Sequence, residues 1–232
     1  MNIPLSPRLL ACADFVSAGE RVADVGCDHG YLSIYLLKNG IASSCIAADI
    51  NEGPLQSAVR NAHKYGVADK IRFYLSDGVR NVPWEFDTLV CAGIGADTIM
   101  SILSAAPWLQ DSHYRIILQC QSKRPELRQW LYDSGYRIQR EALAKDGKFV
   151  YSIMEVRWQP GGEDPTPAQT YLPPQLLTCG SPLLAEYYER VMHGVNLTVE
   201  GMRRAGDERL PVYEAILSDL KALEVQIYDH RQ

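Results

Sequence analysis

The chain has 232 residues, 47% of them hydrophobic and 22% charged, an ordinary globular composition that excludes a disordered or fibrous protein. Its net charge of −5 is unevenly placed: residues 1–158 hold 17 basic and 17 acidic side chains, residues 159–232 hold 6 and 11. A neutral first part leaves a polyanionic partner open. No run approaches the ~18 apolar residues of a membrane span, and the start Met1-Asn2-Ile3-Pro4 lacks a leader pattern, so a cytoplasmic protein without a membrane partner is expected. Cys12, Cys27, Cys45, Cys91, Cys120 and Cys179 lie far apart from one another, with no C-x-x-C pair. They read as reduced, mostly buried thiols, and no metal is expected.

Ser6-Pro7 opens a capped helix carrying Leu9, Leu10, Ala13, Phe15 and Val16. Strands are then predicted at 21–26, 44–50, 71–77, 86–93 and 114–120, and helices between them at about 31–39, 54–65, 98–109 and 125–134. Such alternation predicts an α/β fold, a Rossmann-like parallel sheet with helices on both faces. Residues 136–144 and 149–158 break the pattern as two strands joined across Asp146-Gly147, a hairpin signal, so the sheet closes antiparallel. That closure is how class I S-adenosylmethionine-dependent methyltransferases end, whereas dinucleotide dehydrogenases continue in parallel. The expected domains are 1–158, a proline- and glycine-rich linker at 159–181, and an antiparallel coiled-coil hairpin at 182–232. Its seams are Leu184, Tyr188, Val191, Val195, Thr198 and Met202 against Tyr213, Ile216, Leu220, Leu223 and Ile227, with a reversal between Gly206 and Pro211.

The first strand runs into Asp24-Val25-Gly26-Cys27-Asp28-His29-Gly30-Tyr31. This is no G-x-G-x-x-G fingerprint, because Gly26 and Gly30 are four apart; it fits an acidic-x-G-x-G-x-G loop with Asp28 at the middle glycine. Asp49 closes the second strand, where a carboxylate accepts the hydroxyls of a ribose, and Asp77-Gly78 closes the third, where an acid and a backbone N–H read an adenine. Gly93 and Gly95 leave room for a flat substrate at the end of the fourth strand.

The loop string through Leu32, Glu52-Gly53-Pro54 with Gln56-Ser57-Ala58, Asp77-Gly78, Ala92-Gly93-Ile94-Gly95 and Leu118-Gln119 resembles the bacterial tRNA (adenine(22)-N(1))-methyltransferase family. The likeness spans about residues 5–158, and the helical hairpin resembles that family's C-terminal extension. The chain departs from the pattern at Ala96-Asp97, where the family commonly has a third small residue, and at Gln119-Cys120-Gln121, where it commonly has Gln-Pro-Asn. The resemblance implies S-adenosyl-L-methionine as cofactor, tRNA as partner and methylation of adenine N1. Its implied cofactor set is Asp24, Gly26, Cys27, Gly30, Asp49, Ile50, Asp77, Gly78 and Gly93, with the loop N–H groups taking the cofactor carboxylate.

Adenine N1 carries an in-plane lone pair and needs alignment more than activation, while a carboxylate beside N6 offsets the charge that methylation puts on the ring. Asp28 is the candidate for that carboxylate; capping the helix that starts near Tyr31 is the other use it could have. His29, Tyr31, Gly95, Gln119 and Gln121 are candidate base contacts, and Arg8, Lys123, Arg124 and Arg128 candidate phosphate contacts. Two other readings stay open at this level: a methyltransferase acting on a protein or small molecule, and a non-catalytic module that senses the cofactor.

Overall fold

The computed structural model describes residues 3–229, in two compact units divided after Gly162. The Met1-Asn2 start and the last three residues of the expected helical hairpin lie outside the described residues. In the first unit the chain makes α1 (Pro7–Ala13), β1 (Arg21–Val25), α2 (Tyr31–Lys38), β2 (Ser44–Asp49), α3 (Glu52–Tyr65), β3 (Ile71–Leu75), β4 (Thr88–Ile94), α4 (Ala96–Ser104), β5 (Arg115–Cys120), α5 (Arg124–Asp133), β6 (Tyr136–Asp146) and β7 (Phe149–Trp158).

The strands form one sheet in the order β3-β2-β1-β4-β5-β7-β6. The first five are parallel, and β7 runs antiparallel to both of its neighbours. Every residue of β5 is buried, as is β2 after its first residue, because helices cover both faces of the sheet. One face packs Ile99, Leu103 and Leu127 of α4 and α5; the other packs Cys12, Ile34, Leu36 and Ala58 of α1, α2 and α3. From β1 the strand order runs outward through β2 and β3 on one side and through β4 and β5 on the other. The crevice above the carboxyl ends of β1 and β4 is therefore the topological switch point, where open α/β sheets take ligands.

Three local expectations change. Ser6 occupies the N-cap position of α1, but its hydroxyl makes no capping bond and is buried without a partner; Pro7, with its fixed φ, sets the first turn. The helix expected through Leu109 stops at Ser104, and a separate 3-10 turn begins at Pro107, whose ring nitrogen has no proton to continue the ladder. Arg128 does not reach solvent: it is 1% exposed and bonds Glu141 at 2.9 and 2.8 Å through Nε and Nη2. A guanidinium locked in a buried two-point pair holds helix α5 to strand β6 and meets no phosphate.

The second unit begins inside the stretch read as a linker, which folds. Thr166 accepts from the Gln169 N–H at 3.3 Å while Gln169 Oε1 accepts from the Thr166 N–H at 2.8 Å, a reciprocal capping box. It starts α6 (Pro167–Tyr171), and α7 (Pro174–Leu177) follows. Ala168, Leu172 and Leu176 are buried there, so apolar residues spaced among the prolines stabilise turns that a count of Pro and Gly misses. Then come α8 (Leu184–Ala205), a left-handed Gly206, α9 (Leu210–Ala222) and α10 (Glu224–Asp229). Tyr188 Oη donates to Leu220 O at 3.2 Å and Arg203 pairs with Glu214 at 2.6 Å, so α8 and α9 are antiparallel. Leu184, Tyr188, Val195 and Met202 are buried as the seam requires, but Val199 replaces the exposed Thr198. The second seam breaks at Leu223, which places Ile227 on α10. Among the described residues no helix is long and apolar enough to cross a membrane, and no group of three or more His, Cys, Asp and Glu side chains is placed to hold a metal ion. Burial pushes the thiols of Cys12 and Cys91 up to about 12 and raises those of Cys27, Cys45 and Cys120, which suits inert core residues.

Candidate active site

The loop from β1 to α2 curls back on the sheet. Gly26 and Cys27 donate their N–H groups to Ala48 O at 2.8 and 3.0 Å, Gly30 donates to Cys27 O at 2.8 Å, and Asp28 donates to Asp49 Oδ2 at 3.0 Å. These four donors are spent within the protein, so they do not form the open carboxylate cradle expected of the loop. Gly30 is the N-cap of α2 at φ 71°, and a Cβ there would sit 2.9 Å from the Cβ of Ala58. Only glycine fits that approach.

Asp28 is therefore no helix cap. Its φ is 50°, in the left-handed region, and its side chain is 69% exposed with Oδ1 3.7 Å from His29 Nε2. Asparagine and aspartate tolerate this backbone better than other side chains do. The carboxylate at the start of α2 is instead Asp24, buried beneath the loop, which accepts from Ser33 Oγ at 2.9 Å. Burial, reinforced by the charge of Asp49, pushes the Asp24 carboxyl up to about 6, although the Ser33 bonds oppose the shift.

Asp49 is buried at the end of β2 and accepts from the Asp28 and Asn51 N–H groups at 3.0 and 2.9 Å. Beside it Ile50 is 62% exposed. Asp77 and Gly78 turn the chain after β3, with Asp77 3.6 Å from Arg80.

At the end of β4 the ladder to β5 skips Gly93, a β-bulge with φ 77°. A bulge frees a backbone N–H and re-aims the strand. Gln119 takes up that N–H through Oε1 at 3.0 Å and accepts Arg8 Nη1 on the same oxygen at 2.9 Å. Wholly buried and donating to Cys120 O, Gln119 offers no amide to a base in the cleft. Gln121 is exposed, and its N–H bonds Ile94 O at 3.0 Å. Gly95 begins α4 opposite Ser122, Lys123 pairs with Asp97 at 2.7 Å, and Arg124 starts α5 half-buried. The rings of His29 and Tyr31 lie 5.9 Å apart.

Two cavities meet along this edge and share Gly26, Ala92 and Gly93. One, of about 260 Å³, is lined by Arg8, Asp24, Cys27, Asp28, His29 and Tyr31. The other, of about 290 Å³, is lined by Asp49, Ile50, Asp77, Gly78, Thr98 and Ile102. Gly30, Gly95, Gln119, Gln121, Lys123 and Arg124 line neither. Arg8, a candidate phosphate contact in the sequence, is carried by α1 from ahead of the first strand into the cavity, and no spacing within the loop motif points to that position. A larger cavity of about 670 Å³ within the second unit is lined by Leu177, Leu184, Ala185 and Ile227 among others, with no titratable side chain.

A family model described as a methyltransferase domain matches residues 5–154. The tRNA (adenine(22)-N(1))-methyltransferase of Bacillus subtilis is 36% identical over 154 residues, 66% of this chain and 65% of that protein, so the match spans just under two thirds of that relative's length. The crystal structure of the B. subtilis m1A22 tRNA methyltransferase TrmK is similar with a TM-score of 0.77 at 25% identity, over 100% of both chains. A Streptococcus pneumoniae protein solved in complex with S-adenosyl-L-methionine is similar with a TM-score of 0.79 at 29% identity, over 92% of this chain and 99% of that one.

Proposed function

The chain belongs to the methyltransferase family whose model matches residues 5–154, and we propose that within it this is a tRNA (adenine(22)-N(1))-methyltransferase, acting on N1 of an adenine in tRNA, position 22 by resemblance. The observation that carries the reading is the paired cavity at the switch point, whose two ends differ in chemistry as the two ends of S-adenosyl-L-methionine do. One end sets a guanidinium, Arg8, with the buried carboxylate Asp24, suited to a zwitterionic amino acid. The other sets Asp49 and Asp77 beside the exposed apolar Ile50, suited to a ribose diol and a flat base. The residues present fit the cofactor. When bound, it supplies an electrophilic methyl group on a sulfonium.

Arg8 takes the carboxylate in this reading, since the loop N–H groups are already bonded, and Asp24 faces the ammonium. Asp49 keeps lone pairs free on both oxygens for ribose hydroxyls. Asp77 and Gly78 read the adenine edge, and Gly93, which lines both cavities, leaves room for the Arg8 guanidinium beside the cleft. Asp28 stands at the mouth of the methionine end, solvent-accessible and held by its own N–H. There it stabilises positive charge as the N1 lone pair forms its bond to the methyl carbon and the carbon–sulfur bond breaks, and it accepts the N6 proton. His29, Tyr31 and Gln121 flank the base, and Lys123 and Arg124 meet phosphates. A tRNA substrate places the work in the cytoplasm.

Mass spectrometry of nucleosides from tRNA incubated with the protein and methyl-labelled cofactor tests this. Labelled 1-methyladenosine is expected. Cofactor binding without it overturns the assignment in favour of another substrate or a sensing role.

A further inference from the structure

The hairpin of β6 and β7 outruns the sheet that it closes. Met154 of β7 stands opposite Leu118, and β5 ends two residues later at Cys120. Residues 149–151 therefore pass beyond β5, on the order of 10 Å at the usual rise per strand residue. Because β7 runs antiparallel to β5, this overshoot lies at the carboxyl edge, on the side of the two cavities.

The tip carries an unusual surface. Phe149 is 50% exposed, its ring is 6.1 Å from that of Tyr151, and the exposed Lys148 holds Nζ 5.3 Å from the Phe149 ring centre. Phe149 is the cross-strand partner of Asp146, so the two side chains share a face. Asp146 lies 3.5 Å from Arg8 Nε, the same guanidinium that bonds Gln119 and lines the methionine-end cavity. The tip is thus one side chain away from the cleft. Its acidic residue, Asp146, faces Arg8, and the turn also carries Lys145 and Lys148. An exposed ring with the Lys148 ammonium beside it, on a stiff two-stranded arm, matches the chemistry of a nucleic-acid strand: bases have faces that stack and phosphates that attract lysine.

Resting on the reading as a tRNA methyltransferase, we propose that this hairpin tip is an RNA-contacting arm, with Phe149 stacking on a base beside the target adenine and Lys148 meeting an adjacent phosphate. The arm holds the strand in register while the adenine sits in the cleft. None of its residues belongs to the cofactor cavities.

The test measures tRNA affinity, kcat/KM for tRNA, cofactor Kd and melting temperature for the whole protein and for Phe149→Ala, Phe149→Trp and Lys148→Ala. Phe149→Ala is expected to lose about 5- to 100-fold in kcat/KM for tRNA, the worth of one stacked base, with cofactor Kd and melting temperature unchanged. Phe149→Trp should retain activity, and Lys148→Ala should lower the salt dependence of tRNA binding by about one phosphate contact. Wild-type methylation with Phe149→Ala equally active leaves the functional reading standing and overturns the arm. Altered sedimentation of Phe149→Ala with intact tRNA kinetics assigns the tip to contact between copies of the chain and also overturns it. A wild-type protein that neither binds nor methylates tRNA overturns the functional reading and the arm with it.

Discussion

The backbone N–H of Asp28 donates to Asp49 Oδ2 at 3.0 Å, so the carboxylate proposed to hold the ribose also fixes the loop that carries the proposed catalytic carboxylate. Binding and chemistry are coupled through that bond. Asp49→Ala removes an acceptor that is buried and charged, and hydrogen bonds to charged groups contribute roughly 1.5–3 kcal/mol each. With two ribose hydroxyls losing their partner, cofactor affinity measured by calorimetry is expected to fall by at least about 100-fold. Turnover at saturating cofactor should fall as well, because Asp28 loses its anchor. Unchanged affinity removes Asp49 from the site.

Asp24 predicts a pH dependence. Its folded carboxyl titrates at about 6 because it is buried, whereas an unfolded aspartate titrates near ~3.9. Between those values the folded chain holds more protons than the unfolded one, so stability falls as pH rises through the window and levels off above it. Asp24→Asn should flatten this dependence of melting temperature between about pH 4 and 6.5. A cationic ammonium in the cavity favours the ionised carboxylate, so cofactor affinity should weaken below the folded value of about 6. Affinity flat from pH 5 to 8 would separate Asp24 from the cofactor.

The buried Arg128–Glu141 pair, 1% and 0% exposed, is a structural joint. Glu141→Ala leaves the guanidinium without its counter-charge in the core, at a cost of about 3–5 kcal/mol. Denaturant unfolding checks the loss. Since Arg128 takes no part in phosphate binding, the salt slope of tRNA association should be the same when measured on folded Glu141→Ala below its transition.

The order of strands and helices was legible because alternation of apolar runs is a local signal, and the Asp146-Gly147 turn announced the antiparallel closure. Gly26, Asp49 and Asp77-Gly78 were placed at one sheet edge from spacing alone, since strand ends in a parallel sheet share an edge. What spacing could not show was direction and burial. Arg8 and Arg128 look alike in the sequence, yet one enters the cavity and the other is sealed beside Glu141. Gln119 read as a base contact, but the bulge at Gly93 turned its oxygen to the backbone. Those outcomes depend on pairings made across more than ten residues, such as Arg8 with Gln119 and Gly93 with Gln119.

Asp28 gives the sharpest test, because the left-handed backbone and the proposed chemistry make separate demands on it. Its φ of 50° is one that asparagine adopts with little strain and that glycine adopts freely. Asp28→Asn and Asp28→Gly should therefore keep the loop, its N–H bond to Asp49 and the melting temperature, and glycine should be the better tolerated. Neither side chain accepts the N6 proton or offsets positive charge on the ring. A positioned acid or base contributes about 10²–10⁴-fold, and both variants should lose that much in single-turnover rate on saturating tRNA, with cofactor Kd held near the wild-type value. Wild-type turnover in Asp28→Asn would end the catalytic assignment and leave alignment within the cleft as the source of rate.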